Sequence, residues 1–183
     1  IVHRLDKDTS GILLVAKNDA FRNYFINEMQ ERRVVKKYIA VVSGETLGSF
    51  EINDPIGRDK SNRTKMSIRQ DGKEALTYVK LKEKIGNYSI LDIRIETGRT
   101  HQIRVHLASK KLPIIGDKTY DPRRTIMKDS SQKIIDIVRS FPRQALHARY
   151  LGFKCPETDE EISFETPIPK DVKKLIDMLK KHI

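Results

Sequence analysis

The chain has 183 residues, a length that fits one domain and allows a substantial buried core. Hydrophobic residues make up 38% and charged residues 33% of the sequence, as in globular proteins with heavily charged surfaces, and no apolar run reaches the length of a membrane span. The net charge of +11 favours a polyanionic partner such as nucleic acid over a membrane surface, although a lysine-rich surface also serves solubility.

Strand patterns outnumber helix patterns along the chain, and the two do not alternate regularly. Helices are predicted where apolar residues recur every three or four positions, and strands where apolar residues alternate with polar ones or form a short continuous run. In chain order, we predict a buried strand over 11–17, a helix over 18–33, strands over 36–44, 74–85 and 88–97, a helix over 99–110, a loop over 112–122, a helix over 130–140, a strand pair over 145–155 and 160–165, and a helix from Pro169. This order predicts an α+β fold, with a mixed, mostly antiparallel β-sheet flanked by helices.

A polar loop, HRLDKDTSG over residues 3–11, precedes the predicted buried strand. In an extended backbone, Arg4 and Asp6 project to the same face, and residues 8–11 supply turn chemistry. A carboxylate on a loop anchored by a strand is held rigidly, as a reactive group requires. An aspartate in a turn is more often structural, so this stretch alone does not establish a site.

A second polar stretch, ETGRTHQIRVHL over residues 96–107, carries the start of a predicted helix. The free N–H groups of a helix start suit a phosphate. Thr100 and His101 lie four and three positions before Arg104, which places them on one helical face. The alternative is a basic amphipathic helix whose charged face is simply solvated.

Other chemistries fail on residue spacing. The stretch IIGDKT lacks the upstream glycine of a phosphate-binding loop, and His101 and His106 are five positions apart, whereas zinc-binding pairs on a helix are four apart. The single Cys155 excludes a disulfide framework and a cysteine-rich zinc site. We predict no metal site. A metal-dependent nuclease using His3, Asp6 and His101 rests on composition alone.

Four stretches in order, HRLDKDTSGILLVAKN, KKYIAVVSG, ETGRTHQIRVHLASKKLPIIGDKTYD and RQALHARYLGF, resemble the RluA-type family of pseudouridine synthases, which isomerise uridine in RNA. The resemblance covers nearly the whole chain, and RQALHA is most similar to the branch that acts on large-subunit ribosomal RNA. It implies a pseudouridine synthase catalytic fold with the active site in a cleft across the sheet.

The resemblance also implies roles for individual residues. Asp6 matches the catalytic aspartate, Tyr38 the tyrosine that packs on the target base, and Arg104 the basic residue that pairs with the aspartate. Arg4 matches the arginine that helps to displace the target nucleotide. The expected RNA-binding set is Arg4, Arg99, Thr100, His101, Gln102, Ile103 and Leu146.

We therefore expect residues 1–183 to form a single catalytic domain that isomerises specific uridines in structured RNA, with large-subunit ribosomal RNA as the favoured substrate. The family's strand before HRLD and its small RNA-binding domain are absent, so we expect an N-terminally incomplete domain. The reaction has no net redox change and transfers no group to a second molecule, so we expect no cofactor. We also expect a cytoplasmic monomer with no membrane partner. The alternative is a non-catalytic RNA-binding module on the same fold.

Overall fold

A seven-stranded sheet forms the centre of the protein in the computed structural model, which describes residues 1–183. The elements are β1 (Ser10–Gly11), α1 (Asp19–Gln30), β2 (Val35–Ser43), β3 (Ser49–Asn53), β4 (Ile56–Arg58), β5 (Met66–Ile68), β6 (Leu76–Ile85), β7 (Tyr88–Ile95), α2 (Gln102–Ser109), α3 (Gln132–Ser140), β8 (Leu146–Lys154), β9 (Glu161–Glu165) and α4 (Lys170–His182). The sheet runs in the order β1-β8-β2-β7-β6-β3, β9 pairs with β8, and β4 and β5 form a separate hairpin. Every pair is antiparallel except β1–β8, which confirms the predicted mixed, mostly antiparallel α+β fold.

The main core lies between the sheet and the helices. Central strand β2 is buried over residues 38–43, because β7 and β8 flank it on either side. Apolar side chains of α2, α3 and α4 pack against the same core, while α1 places Phe25 edge-to-face against Phe153 of β8. These contacts bury the apolar faces that the sequence pattern predicts.

Side-chain caps and turn residues set the helix ends. The Asn18 side chain accepts a hydrogen bond from the Phe21 N–H, which confirms the predicted start of α1, and Ser131 caps α3 in the same way. Pro169 lies immediately before α4. Proline has no backbone N–H to donate, so it is tolerated at the start of a helix but not in its interior. None of the helices combines the length and the apolar character needed to cross a membrane.

The predicted buried strand over 11–17 is wrong. Strand pairing ends at Gly11, and after the Ile12 N–H donates to the Ala148 carbonyl the chain leaves the sheet. Leu13 and Val15 are 44% and 56% exposed. An apolar run identifies side chains that can be buried, but it does not supply the neighbouring strand that would bury them.

Candidate active site

The loop that carries Asp6 is fixed by backbone contacts rather than by a long strand. Gly11 has a φ of +124°, and a Cβ there would lie 2.2 Å from the Ala148 carbonyl oxygen, so only glycine allows β1 to lie this close to β8. The Gln144 side chain donates to the Lys7 carbonyl oxygen at 2.6 Å. The loop is therefore held against the start of β8, which gives Asp6 a fixed position.

Arg104 joins two carboxylates that are far apart in the sequence. Its Nη1 donates to Asp6 Oδ2 at 3.3 Å, while Nε and Nη2 donate to the two oxygens of Asp117 at 2.7 and 2.8 Å. The exposed fractions of the side chains are 16% for Asp6, 6% for Arg104 and 1% for Asp117. Asp117 thus fixes the guanidinium from behind, and Arg104 presents its remaining Nη1 to the more accessible carboxylate.

The surroundings of Asp117 favour its charged form. Burial acts to raise the pKa of Asp117, but hydrogen bonds from Arg104 and from the backbone N–H groups of Tyr120 and Thr119 outweigh it and lower that pKa. The pKa of Arg104 is raised although burial opposes its charge, because both carboxylates favour it. Asp6, Arg104 and Asp117 therefore form one ionic unit, in which Arg104 and Asp117 are buried and Asp6 is partly accessible.

Tyr38 lies on β2 and contributes its ring to the same region. Its neighbours across the sheet are Ile93 of β7 and Ala148 of β8. Burial raises the pKa of Tyr38 to about 12, and the negative charge of Asp6 adds to the shift. The phenol therefore stays neutral and offers a rigid aromatic surface beside the carboxylate.

A cleft of about 390 Å³ opens over these groups. The structure brings nine of the ten predicted site residues to its wall, namely Arg4, Asp6, Tyr38, Arg99, Thr100, His101, Gln102, Ile103 and Leu146. The tenth, Arg104, lies behind Asp6 and is buried. A larger concavity of about 800 Å³ is lined by residues of β2, β3, β6, β7, β8 and β9 and contains none of these ten.

The start of α2 differs from the prediction. The helix begins at Gln102 rather than at Arg99, because His101 has a φ of +57° and the chain turns there. The alternative of a solvated basic helix is wrong, since residues 102–107 are all buried. The turn, rather than a shared helical face, directs Thr100 and His101 into the cleft.

Gln102 lines the cleft, but its side-chain amide is used within the chain. Its Oε1 accepts from the Thr97 hydroxyl at 2.8 Å and from the Arg99 N–H at 3.0 Å. Its Nε2 donates to the Leu76 carbonyl and the Thr77 hydroxyl, both at 3.0 Å. Gln102 therefore fixes the start of α2 against β6.

Two further cleft residues, His3 and Lys36, carry perturbed pKa values that the sequence did not indicate. Burial, and then the charge of Lys36, lowers the pKa of His3 to about 4. Burial also lowers the pKa of Lys36. His3 Nε2 accepts a hydrogen bond from the Leu14 N–H at 2.9 Å, so His3 is neutral and structural. No group of three or more His, Cys, Asp or Glu side chains is placed to hold a metal ion.

The β4–β5 hairpin is strongly basic and packs beside α2. The stretch from Arg58 through Arg69 contains five basic residues and one acidic residue. Ile56 and Met66 of the hairpin pack with Val105 of α2 and with Tyr120. The hairpin therefore adds a basic surface beside α2.

Sequence reasoning missed Asp117 and Tyr120 as parts of the site. Both follow the buried pair Ile114 and Ile115, in the loop after α2. The stretch IIGD lacks the spacing of a phosphate-binding loop. The family resemblance includes this stretch, but it does not assign a role to Asp117. An aspartate shortly after a buried apolar pair is the signal that could have marked it, because a buried carboxylate needs a partner.

Solved structures with the same architecture define the class of fold. The human RNA pseudouridylate synthase domain containing 4 superposes with a TM-score of 0.78 at 23% identity, over 98% of this chain and 75% of that chain. The human RNA pseudouridylate synthase domain containing 1 gives a TM-score of 0.72 at 28% identity, over 98% and 79% of the two chains. The fold is that of a pseudouridylate synthase domain.

Sequence comparison agrees. The profile of the RNA pseudouridylate synthase family matches residues 1–109. The uncharacterized RNA pseudouridine synthase YlyB of Bacillus subtilis is 44% identical over all of this chain and 56% of its own length. The ribosomal large subunit pseudouridine synthase D of Haemophilus ducreyi is 41% identical over 98% of this chain and 55% of its own length. The chain belongs to the RNA pseudouridylate synthase family, as the RluA-type resemblance predicted, and it spans little more than half the length of these relatives.

Proposed function

We propose that residues 1–183 form the catalytic part of an enzyme that converts uridine to pseudouridine in RNA. In this reaction the bond from ribose C1′ to uracil N1 breaks, the base turns, and a bond from C1′ to C5 forms. The hydrogen on C5 leaves to solvent and N1 gains a proton, so atoms balance without a cofactor. The observation that carries the proposal is the Asp6 carboxylate on the cleft wall, held by Arg104, whose other edge is fixed by buried Asp117.

Asp6 is the group that acts on the ribose. It serves as the nucleophile at C1′ or as a base at the sugar, and either role needs an ionised carboxylate in a fixed orientation. Arg104 supplies that orientation through the 3.3 Å contact. Tyr38, neutral and rigid, stacks on the uracil while it is detached and turning.

A uridine in folded RNA must leave its stack to reach this cleft. Base flipping costs a few kcal/mol, which stacking on Tyr38 and contacts in the pocket offset. Arg4 is exposed at the cleft and fills the space that the base vacates. Arg99, Thr100 and His101 contact the RNA strand, while buried Ile103 and Leu146 form the apolar wall.

The basic hairpin gives affinity without sequence choice. Lysine and arginine contacts to phosphate raise the affinity for any RNA and make it salt-dependent. The logarithm of the binding constant falls with the logarithm of the salt concentration, by a slope of roughly 0.7 to 0.9 per contact. Replacing Lys60 and Arg63, both exposed, should therefore lower the salt slope of RNA binding by about 1 to 2.

Relatives named for the ribosomal large subunit support large-subunit ribosomal RNA as the substrate. We also propose that the protein acts as a monomer in the cytoplasm, where this RNA is found. A non-catalytic RNA-binding module is disfavoured, because such a module has no need of Asp6, Arg104 and Tyr38 together around one cleft.

The test is nucleoside analysis of unmodified transcripts after incubation with the protein. Large-subunit ribosomal RNA should gain pseudouridine, while small-subunit ribosomal RNA and transfer RNA should gain little. Equal modification of all three RNAs would contradict the assignment of large-subunit ribosomal RNA as the substrate. Binding without pseudouridine in any transcript would favour the non-catalytic module.

A further inference from the structure

The hydroxyl of Tyr120 links the basic hairpin to a histidine of the cleft. It accepts the Met66 N–H of β5 at 3.0 Å, and it lies 2.8 Å from His101 Nδ1. The Met66 N–H occupies one acceptor site of the hydroxyl, and Nδ1 is the acceptor within the chain for the Tyr120 proton, which favours donation from Tyr120 to Nδ1. A histidine whose Nδ1 accepts must carry its proton on Nε2 when it is neutral.

His101 presents that Nε2–H to the cleft. The side chain lines the cleft at the start of α2, where a φ of +57° sets its direction. Nε2 makes no hydrogen bond within the chain, and it is not buried, since Nε2 of His147 is the one buried unpartnered side-chain atom. In this tautomer, His101 has a free donor on its accessible Nε2, in the cleft that Asp6 also lines.

The charged groups around His101 come from three segments. Arg4 and Asp6 face it from the N-terminal loop, Arg104 from α2, and Asp117 from the following loop. Burial lowers the pKa of His101, so the ring is neutral at physiological pH, and its single proton makes the choice of tautomer decisive.

We propose that Tyr120 is a positioning residue: it holds His101 as the Nε2–H tautomer, and this N–H donates to an oxygen of the RNA sugar–phosphate backbone beside the target uridine. The acceptor is a backbone oxygen because the neighbouring cleft residues Arg4 and Arg99 are cationic, and such a rim attracts phosphate. The contact to RNA rests on the proposed function, whereas the tautomer does not.

Tyr120 also touches the ionic unit of the site. The Arg104 guanidinium lies 5.1 Å from the centre of its ring, and the ring packs against the cluster of Ile56 and Val105. Tyr120→Phe keeps these ring contacts and removes only the hydroxyl. The substitution therefore isolates the hydrogen-bond link from the packing.

The tautomer is tested first, by nitrogen-15 NMR of the histidine rings at neutral pH without RNA. His101, assigned with the variant His101→Gln, should show protonated Nε2 and unprotonated Nδ1. Tyr120→Phe should shift it toward a mixture of tautomers. His106 is an internal control, since its Nε2 lies 2.9 Å from the Asp54 carbonyl, which can only accept. Protonated Nδ1 in the parent, or no change in Tyr120→Phe, would overturn the proposal.

The RNA contact is tested by a double-mutant cycle on binding and turnover. Tyr120→Phe should raise KM and the RNA Kd about fivefold with kcat within twofold, because a backbone contact is made equally in the ground and transition states. The Gln side chain of His101→Gln carries its own N–H donor, so adding Tyr120→Phe there should cost less than about twofold more. The same fivefold loss in both backgrounds would mean that Tyr120 acts only through the hairpin. An inactive parent chain with the expected tautomer would refute the proposed function. The contact between His101 and RNA would then be tested by filter binding alone, with the same fivefold loss expected for Tyr120→Phe.

Discussion

The substitution Asp117→Asn probes the buried support of Arg104. It keeps the size and shape of the side chain but replaces one oxygen by an NH₂ group and removes the charge. Asp117 Oδ1 also accepts the backbone N–H of Thr119 at 2.9 Å, so the amide oxygen should keep that place. The NH₂ group would then face Arg104 Nε, so two hydrogen-bond donors would oppose each other and the bond from Nε would be lost.

The expected cost follows from the hydrogen bond and the charge that the substitution removes. One charge-assisted hydrogen bond is worth about 1.5 to 3 kcal/mol, and removing a partner from a buried ion pair costs about 3 to 5 kcal/mol. Because the amide still accepts from Nη2, and Asp6 still faces Nη1, we expect a loss of about 2 to 4 kcal/mol in the free energy of unfolding. Arg104 should also turn toward Asp6, and we expect kcat to fall at least about tenfold because the carboxylate is then misplaced.

The assay compares urea unfolding and single-turnover isomerisation of Asp117→Asn with those of Asp121→Asn. Asp121 is also buried in the same loop, but its carboxylate accepts from Thr125 rather than from Arg104. The control should lose stability and keep kcat within about twofold. Equal kcat losses in both variants, or parent-like activity in Asp117→Asn, would refute the idea that Asp117 positions the catalytic pair.

Two further predictions concern stability. His3 has a folded pKa of about 4 against an ordinary value of 6.5, so the unfolded chain binds the extra proton and stability falls as the pH drops from about 6.5 to about 4. After allowance for partial exposure we expect a loss of about 1 to 2 kcal/mol, measured by urea unfolding, which His3→Gln should remove. Gly11→Ala would place a Cβ 2.2 Å from the Ala148 carbonyl oxygen and should destabilise the protein by about 3 kcal/mol or more in the same assay.

Both stability predictions have matched controls. Burial and the charges of Lys133 and Lys181 also lower the pKa of His182, but by less than the shift of His3, so His182→Gln should remove much less of the pH dependence than His3→Gln. Gly48 has a φ of +93°, but no atom lies within 4 Å of the place that a Cβ would take, so Gly48→Ala carries the backbone strain without the clash. A Gly11→Ala variant no less stable than Gly48→Ala would mean that β1 does not need to lie close to β8.

The sequence predicted the sheet well where strands pair with their neighbours. The strands β6 and β7 alternate clearly and are joined by a two-residue turn at Gly86 and Asn87, so a local pattern was enough. The run after Gly11 misled because burial depends on a partner strand elsewhere. The start of α2 was misplaced because the positive φ of His101 is imposed by the tertiary structure and leaves no periodic signal.

The site was predicted in the same uneven way. Asp6, Tyr38 and Arg104 were predicted because the family resemblance marks each of them, and their roles stay predictions. Asp117 and Tyr120 were not, since their function depends on contacts with Arg104 and His101 that a loop creates. A buried ion pair across 13 residues follows from the path of the chain rather than from any residue pattern.

The most direct test of the proposed chemistry is tritium release from unmodified large-subunit ribosomal RNA labelled at carbon 5 of uridine, because bond formation at C5 expels that hydrogen. The protein is compared with Asp6→Asn and with Asp8→Asn, an exposed aspartate in the same loop. We predict release by the parent and by Asp8→Asn, and none by Asp6→Asn even though it still binds the RNA. Release by Asp6→Asn at the parent rate would contradict the role of the carboxylate.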